Sequence, residues 1–80
     1  MTQPCPGTLM KVNCFFDLRQ GHDFSTFKKR AGPVNLGELV IFLQSTHVHS
    51  NRESRRGPLI AEVISASGKG WLFQSSLDEV

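Results

Sequence analysis

Hydrophobic and polar positions alternate through the first well-patterned segment of the chain. In "TLMKVNCFF" (residues 8–16), Met10, Val12, Cys14 and Phe16 fall on one side and Lys11 and Asn13 on the other. That period of two predicts a half-buried strand. The preceding "MTQPCPG" (1–7) holds two prolines and a glycine, which oppose sustained regular structure, and it reads as a flexible tail. "DFSTFKKRAGP" (23–33) changes period. Asp23 or Ser25 supplies an N-cap, Phe24, Phe27 and Ala31 share a face, and Lys28, Lys29 and Arg30 fill a last turn that Gly32 and Pro33 end. The pattern predicts one short helix over about 23–31, although its Phe and Thr content also suits a strand.

The strongest apolar run is "LGELVIFLQST" (36–46). Leu39, Ile41 and Leu43 point one way, Val40 and Phe42 the other, which predicts a central strand covered on both faces, with Phe24 and Phe27 as cover. "GPLIAEVISA" (57–66) predicts the next strand, "SGKG" (67–70) a tight turn, "WLFQS" (71–75) a third strand, and "SLDEV" (76–80) a turn or final strand. Between the first two of these strands, "STHVHSNRESRRG" (45–57) reads as a long basic loop, well beyond the usual two to five residues of a hairpin. The elements add up to a mainly β chain, a single small β-rich domain over 8–80 that closes most simply as a small barrel with one short helix.

Composition supports one modest core. Eighty residues with a 39% apolar share, six Phe and one Trp suffice for a single small domain, and a charged share of 20% argues against disorder. No apolar run approaches the roughly 18 residues of a membrane span. The N-terminal residues lack the basic region and apolar stretch of a secretory signal. Two cysteines, Cys5 and Cys14, allow one bridge at most, so an intracellular setting, cytoplasmic or nuclear, is expected. The net charge of +2 is small, but its distribution is uneven. Residues 1–57 hold eight Lys/Arg and four acids, a balance of +4, and residues 58–80 one Lys and three acids, a balance of −2. Such asymmetry points toward an anionic partner.

Candidate chemistry follows from that asymmetry. Phosphates are bound by several cations on one surface, and the candidates are Arg52, Arg55 and Arg56 in the loop and Lys28, Lys29 and Arg30 at the helix end, where their charge also suits the helix dipole. Trp71, beside Lys69, offers a ring on which an unpaired base could stack; its more ordinary role is in the core. His47 and His49 project to one side of an extended chain, about 7 Å apart, a spacing metal ligands use. They lack a paired cysteine: Cys5 and Cys14 are separated by eight residues, and Cys14 is in phase with core positions, so no metal and no cofactor is expected. Catalytic motifs are weak. "SASGKG" lacks the upstream glycine and the following Ser/Thr of a phosphate loop, "STFK" stands without the domain such a motif requires, and Ser50, His22 and Asp23 make a triad only on paper. The reading is therefore of a binding module and not an enzyme.

From Val34 onward, "LGELVIF" and "GPLIAEVISASGKGWLF" resemble the opening strand and following hairpin of small SH3-like barrels of the Tudor and KOW type. The resemblance implies a barrel that binds RNA, DNA or a peptide, and it leaves out residues 8–31; an OB-like barrel is the rival fold. The expected function is a nucleic-acid-associated or regulatory adaptor working through the basic residues. The alternative is a protein-interaction module, an inhibitor or accessory subunit, that uses an apolar strand face around Trp71 and Phe73, with the basic loop answering an acidic partner.

Overall fold

Alternation governs the first strand as its pattern requires. In the computed structural model, which describes residues 5–15, 17–49 and 56–80, β1 (Leu9–Val12) buries Met10 and Val12 and turns Leu9 and Lys11 outward. The chain continues as β2 (Leu18–Arg19), α1 (Phe24–Phe27), β3 (Arg30–Gly32), β4 (Leu39–His49), β5 (Arg56–Ser65), β6 (Gly68–Phe73), a 3₁₀ turn (Gln74–Ser76) and β7 (Leu77–Glu79). The seven strands form one antiparallel sheet in the order β3-β2-β6-β5-β4-β1-β7. The chain is mainly β, and its sheet is open: β3 and β7 are its edges, where a closed barrel was expected.

One irregularity sets the two faces. Phe42 opposes Val63 and Gln44 opposes Glu62, so Leu43 is an extra residue on β4, a bulge that shifts the phase of the strand. Before it, Val40 and Phe42 enter the core while Leu39 and Ile41 face out. After it, Gln44 and Thr46 lie on the outward face with Glu62 and Ile60, their partners on β5. The inner face packs Phe42, Leu18, Leu72, Val12, Val40 and Val63 into the main core. The outer face carries a second cluster, Val48, Ile60 and Trp71, with Phe27 and Phe73 packed against it.

The β5–β6 hairpin turns through Ala66 and Ser67, with Ser65 opposite Gly68. Gly68 has φ of +120°, a conformation that glycine adopts without steric cost. Glu38 ties this tip to the turn before β4: its Oε1 accepts from the Asn35 N–H at 3.1 Å and its Oε2 from the Ala66 N–H at 3.4 Å. Residues 5–7 of the expected tail form a turn whose Gly7 N–H donates to the Phe42 carbonyl at 2.7 Å.

Two expectations are corrected. The helix over 23–31 is only the four residues of α1, because Arg30–Gly32 pairs with β2, Leu18 opposite Gly32 and Arg19 opposite Arg30. A helix so short has little intrinsic stability, and of its expected basic last turn the sheet takes Arg30 while Lys28 and Lys29 form the link. The loop over 45–57 is shorter than expected, because β4 runs to His49 and β5 begins at Arg56, with Ser45, Thr46 and His47 opposite Ala61, Ile60 and Leu59. Ser45, Thr46 and His47 lie on paired backbone, which the β-branched Thr46 and Val48 favour. Residues 50–55, with Arg52 and Arg55, lie outside the described residues, as does Phe16.

Close packing of β2 on β6 depends on Gly70. A Cβ there would stand 2.7 Å from the Leu18 Cβ and 3.2 Å from the Arg19 carbonyl oxygen. Gly70→Ala is therefore expected to destabilise the fold by about 1–3 kcal/mol in urea unfolding. Gly32→Ala, whose added carbon meets only Ser67 Cβ at 3.5 Å, should stay within about 0.5 kcal/mol of the parent. Asp23 gives a second test. It caps α1 by accepting from the Thr26 backbone N–H at 2.8 Å and from the Thr26 hydroxyl. The Thr26 side chain, then the Thr26 backbone, hold its carboxyl below the usual range, with lesser help from Ser25 and His22 against the effect of burial. A carboxyl whose pKa is lower in the folded state stabilises that state above its unfolded pKa, and the contribution disappears as pH falls through the folded value. The stability gap between the parent and Asp23→Ala should thus be widest near neutrality and narrow as pH falls through and below the ordinary carboxylate range; a gap constant with pH would exclude this role.

Candidate functional site

The cations do not spread evenly over the sheet. Arg19 on β2 sits opposite Arg30 on β3, and the link between the strands carries Lys28 and Lys29, both exposed. The Arg19 guanidinium Nη1 donates to the Lys28 carbonyl at 3.2 Å, and Arg30 Nε meets Asp17 Oδ2 at 3.0 Å. Four cations thus share one hairpin at one open edge. Lys69 lies on β6, the next strand inward, with its Nζ 3.9 Å from Glu62 Oε2. The opposite edge, β7, carries Asp78 and Glu79, and Asp78 faces Lys11 in register. The sheet therefore grades from basic at β3 to acidic at β7.

Of the residues predicted from sequence, Lys28, Lys29 and Arg30 come together as expected, and Arg19, not anticipated, joins them. Arg56 contributes backbone to the start of β5, opposite His49; the side chains of both are outside the described residues, as are Arg52 and Arg55. Trp71 is only 7% exposed, and the His22 ring lies over it with centroids 5.3 Å apart and planes tilted by 48°. Its indole is a core group with an aromatic cover. Phe73 is covered in the same way by Phe27, edge-on at 5.1 Å, so the apolar face expected around Trp71 and Phe73 is occupied by the chain itself. The His47 Nδ1–H donates to the Gly57 carbonyl at 3.0 Å, bracing the end of the β4–β5 ladder. Cys5 and Cys14 are free thiols. Among the described residues no three His, Cys, Asp or Glu side chains are grouped to hold a metal, and no helix is long and apolar enough to cross a membrane.

Beside the basic hairpin lies a cleft of about 370 Å³. One wall is Gln20–His22, the segment leading from β2 to α1; the other is the outward face of β4 and β5 with Gln44, Thr46 and Glu62, and Trp71 lies within it. Gly21 lets this wall approach, because a Cβ there would collide with the Thr26 side chain. Glu62 sits opposite Trp71 and Gln44 in register. Its side chain is 14% exposed, and its Oε1 accepts from Gln44 Nε2 at 2.9 Å. Sequence reasoning missed Glu62, although a lone carboxylate inside the apolar "LIAEVIS" was a legible signal. The outward face also leaves an apolar row uncovered: Leu9 opposite Ile41, Ile41 opposite Ile64, and Leu39 beside them.

No family model matches the sequence, and neither a curated protein nor a solved structure matches the chain.

Proposed function

We propose that this chain is a small SH3-like binding module that holds a single-stranded nucleic acid along its β2–β3 edge, without catalysis and without a cofactor. The observation that carries this reading is the gathering of Arg19, Lys28, Lys29 and Arg30 on one open edge while the far edge is acidic. A charge gradient of this kind orients an anionic strand toward one side of the sheet and away from the other. Clustered Lys and Arg gain affinity by releasing the counterions of each phosphate they neutralise. The SH3-like reading rests on connectivity: β4, β5 and β6 form an antiparallel meander, and β1 pairs with both β4 and the last strand, β7. Arg52, Arg55, Arg56 and Lys69 belong to the same proposal as further phosphate contacts. Two free cysteines are compatible with an intracellular setting.

A second reading has its own observation. The exposed row of Leu9, Ile41, Ile64 and Leu39 is apolar surface of the kind that protein partners cover, so an adaptor, inhibitor or accessory subunit would dock there, not around Trp71 and Phe73. Salt separates the two. Binding to phosphates weakens steeply with log salt, and a buried apolar contact does not.

Lys28→Ala/Lys29→Ala tests the preferred reading without touching the core. Its affinity for a short single-stranded oligonucleotide should fall about tenfold at low salt, and the slope of log affinity against log salt should shrink by about one to two. Unchanged affinity and slope for RNA and for DNA would reject the phosphate-binding edge.

A further inference from the structure

The cleft over Trp71 borders the basic hairpin, yet its one carboxylate, Glu62, is largely enclosed. A carboxylate near a strand-binding edge repels phosphates, so Glu62 is suited to something other than the backbone. It only accepts hydrogen bonds. Oε1 has one donor, Gln44 Nε2, and Oε2 has Lys69 at 3.9 Å, which leaves acceptor capacity on both oxygens toward the cleft. Aromatic surface stands beside it in the exposed His22 and in Trp71. A group that satisfies this site is flat, fits within about 370 Å³, and presents adjacent N–H donors.

We infer that the cleft takes one unpaired guanine base of the bound strand, with its Watson–Crick edge on the Glu62 carboxylate and its face against the His22 imidazole. This rests on the nucleic-acid reading above and adds the base to it. Guanine alone among the four common bases offers two neighbouring donors on that edge, N1–H and the N2 amine, which match the two oxygens of a carboxylate. Uracil sets its single N–H between two carbonyl acceptors. Adenine and cytosine set an amine beside a ring nitrogen that accepts, and each acceptor would face the carboxylate. Unpaired bases are read in this way, by edge hydrogen bonds and stacking on aromatic rings. The position of the cleft suits the inference, because Gln20–His22 follows directly from Arg19, so a strand lying on the basic hairpin can turn one base inward over a short distance.

The test uses five-residue strands UUXUU, in ribo and deoxy form, with X as guanine, adenine, cytosine, the pyrimidine of the flanks (uracil, or thymine in the deoxy series) or hypoxanthine. Binding is followed by the emission of Trp71, the sole tryptophan, and by anisotropy of end-labelled strands. The guanine strand should bind about tenfold tighter than the other three common bases, with hypoxanthine, which keeps N1–H and lacks the N2 amine, in between. Glu62→Gln, close in shape, should abolish the preference for guanine over the other three bases. The hypoxanthine comparison needs no variant and holds the inference to account even if Glu62→Gln folds poorly. Equal affinity for all strands, with a normal salt slope, would overturn the guanine site and leave the phosphate edge standing. Failure of every strand to bind at low salt would overturn both. Displacement of the guanine strand by N-acetylarginine amide that depends on Glu62, without a preference for guanine over hypoxanthine, would reassign the cleft to a guanidinium of a protein partner.

Discussion

The extra residue at Leu43 is the constraint on which the rest of this structure depends. A strand with uninterrupted alternation would put Gln44, Thr46 and Val48 on the same face as Val40 and Phe42, inside the main core. The bulge moves them to the other face. Val48 then reaches Ile60 and Trp71, and the two polar residues line the cleft. One strand thereby serves two cores. Its first half supplies Val40 and Phe42 to the inner cluster, and its second half supplies Val48 to the outer one.

The outer cluster in turn requires a cover, and the segment from Gly21 to Phe27 provides it. Gly21 removes the side chain that would strike Thr26, His22 lies on Trp71, and Phe27 meets Phe73 edge-on. Asp23 fixes the first turn of α1 between these two contacts. The same segment is held at its ends by β2 and β3, which pair with each other and, through Arg19 opposite Trp71, with β6. Aromatic burial and the basic edge are therefore not separate features. The hairpin that carries Arg19, Lys28, Lys29 and Arg30 is also the frame that holds the lid on Trp71, so the position of the charges is secured by the packing of the rings.

Much of the sheet was legible from alternation alone. Met10 and Val12, and Val40 and Phe42, are buried as alternation predicts. The cover expected over the other face of the central strand is missing at Leu39 and Ile41, which are exposed, and the turn expected over 67–70 falls at Ala66 and Ser67. The basic cluster 28–30 was also legible as a candidate, but its setting was not. A two-residue strand such as β2 has no period to detect, so the strand alternative that the Phe and Thr content offered had no visible partner with which Arg30–Gly32 would pair. The bulge at Leu43 leaves no mark in a run where both faces are apolar. Ser45, Thr46 and His47, which read as the start of a loop, are paired with β5. The cover on Trp71 comes from a residue 49 positions away in the chain, and no local pattern encodes such a contact. Glu62 is a different case: the charge asymmetry of the chain points to its cations, whereas a single acid inside an apolar strand leaves no such imbalance.

That acid is where the demands of the fold and of the site diverge. At position 62 a β-branched or aromatic residue would serve the central strand better, and withdrawing a carboxylate from water carries a desolvation cost. Its compensations are modest. Lys69 is largely exposed and 3.9 Å away, which places the pair in the range of about 0–1 kcal/mol. The single side-chain bond from Gln44 adds about 1 kcal/mol, or somewhat more because its acceptor is charged. Neither partner needs a carboxylate to be satisfied, since Gln44 and Lys69 both reach solvent. A residue that breaks the local rule of its strand, with so little returned to stability, marks a place where local consistency fails. The proposed base site is set there because the position also lies beside the cationic hairpin, so that on this proposal one strand supplies both the phosphates and the base.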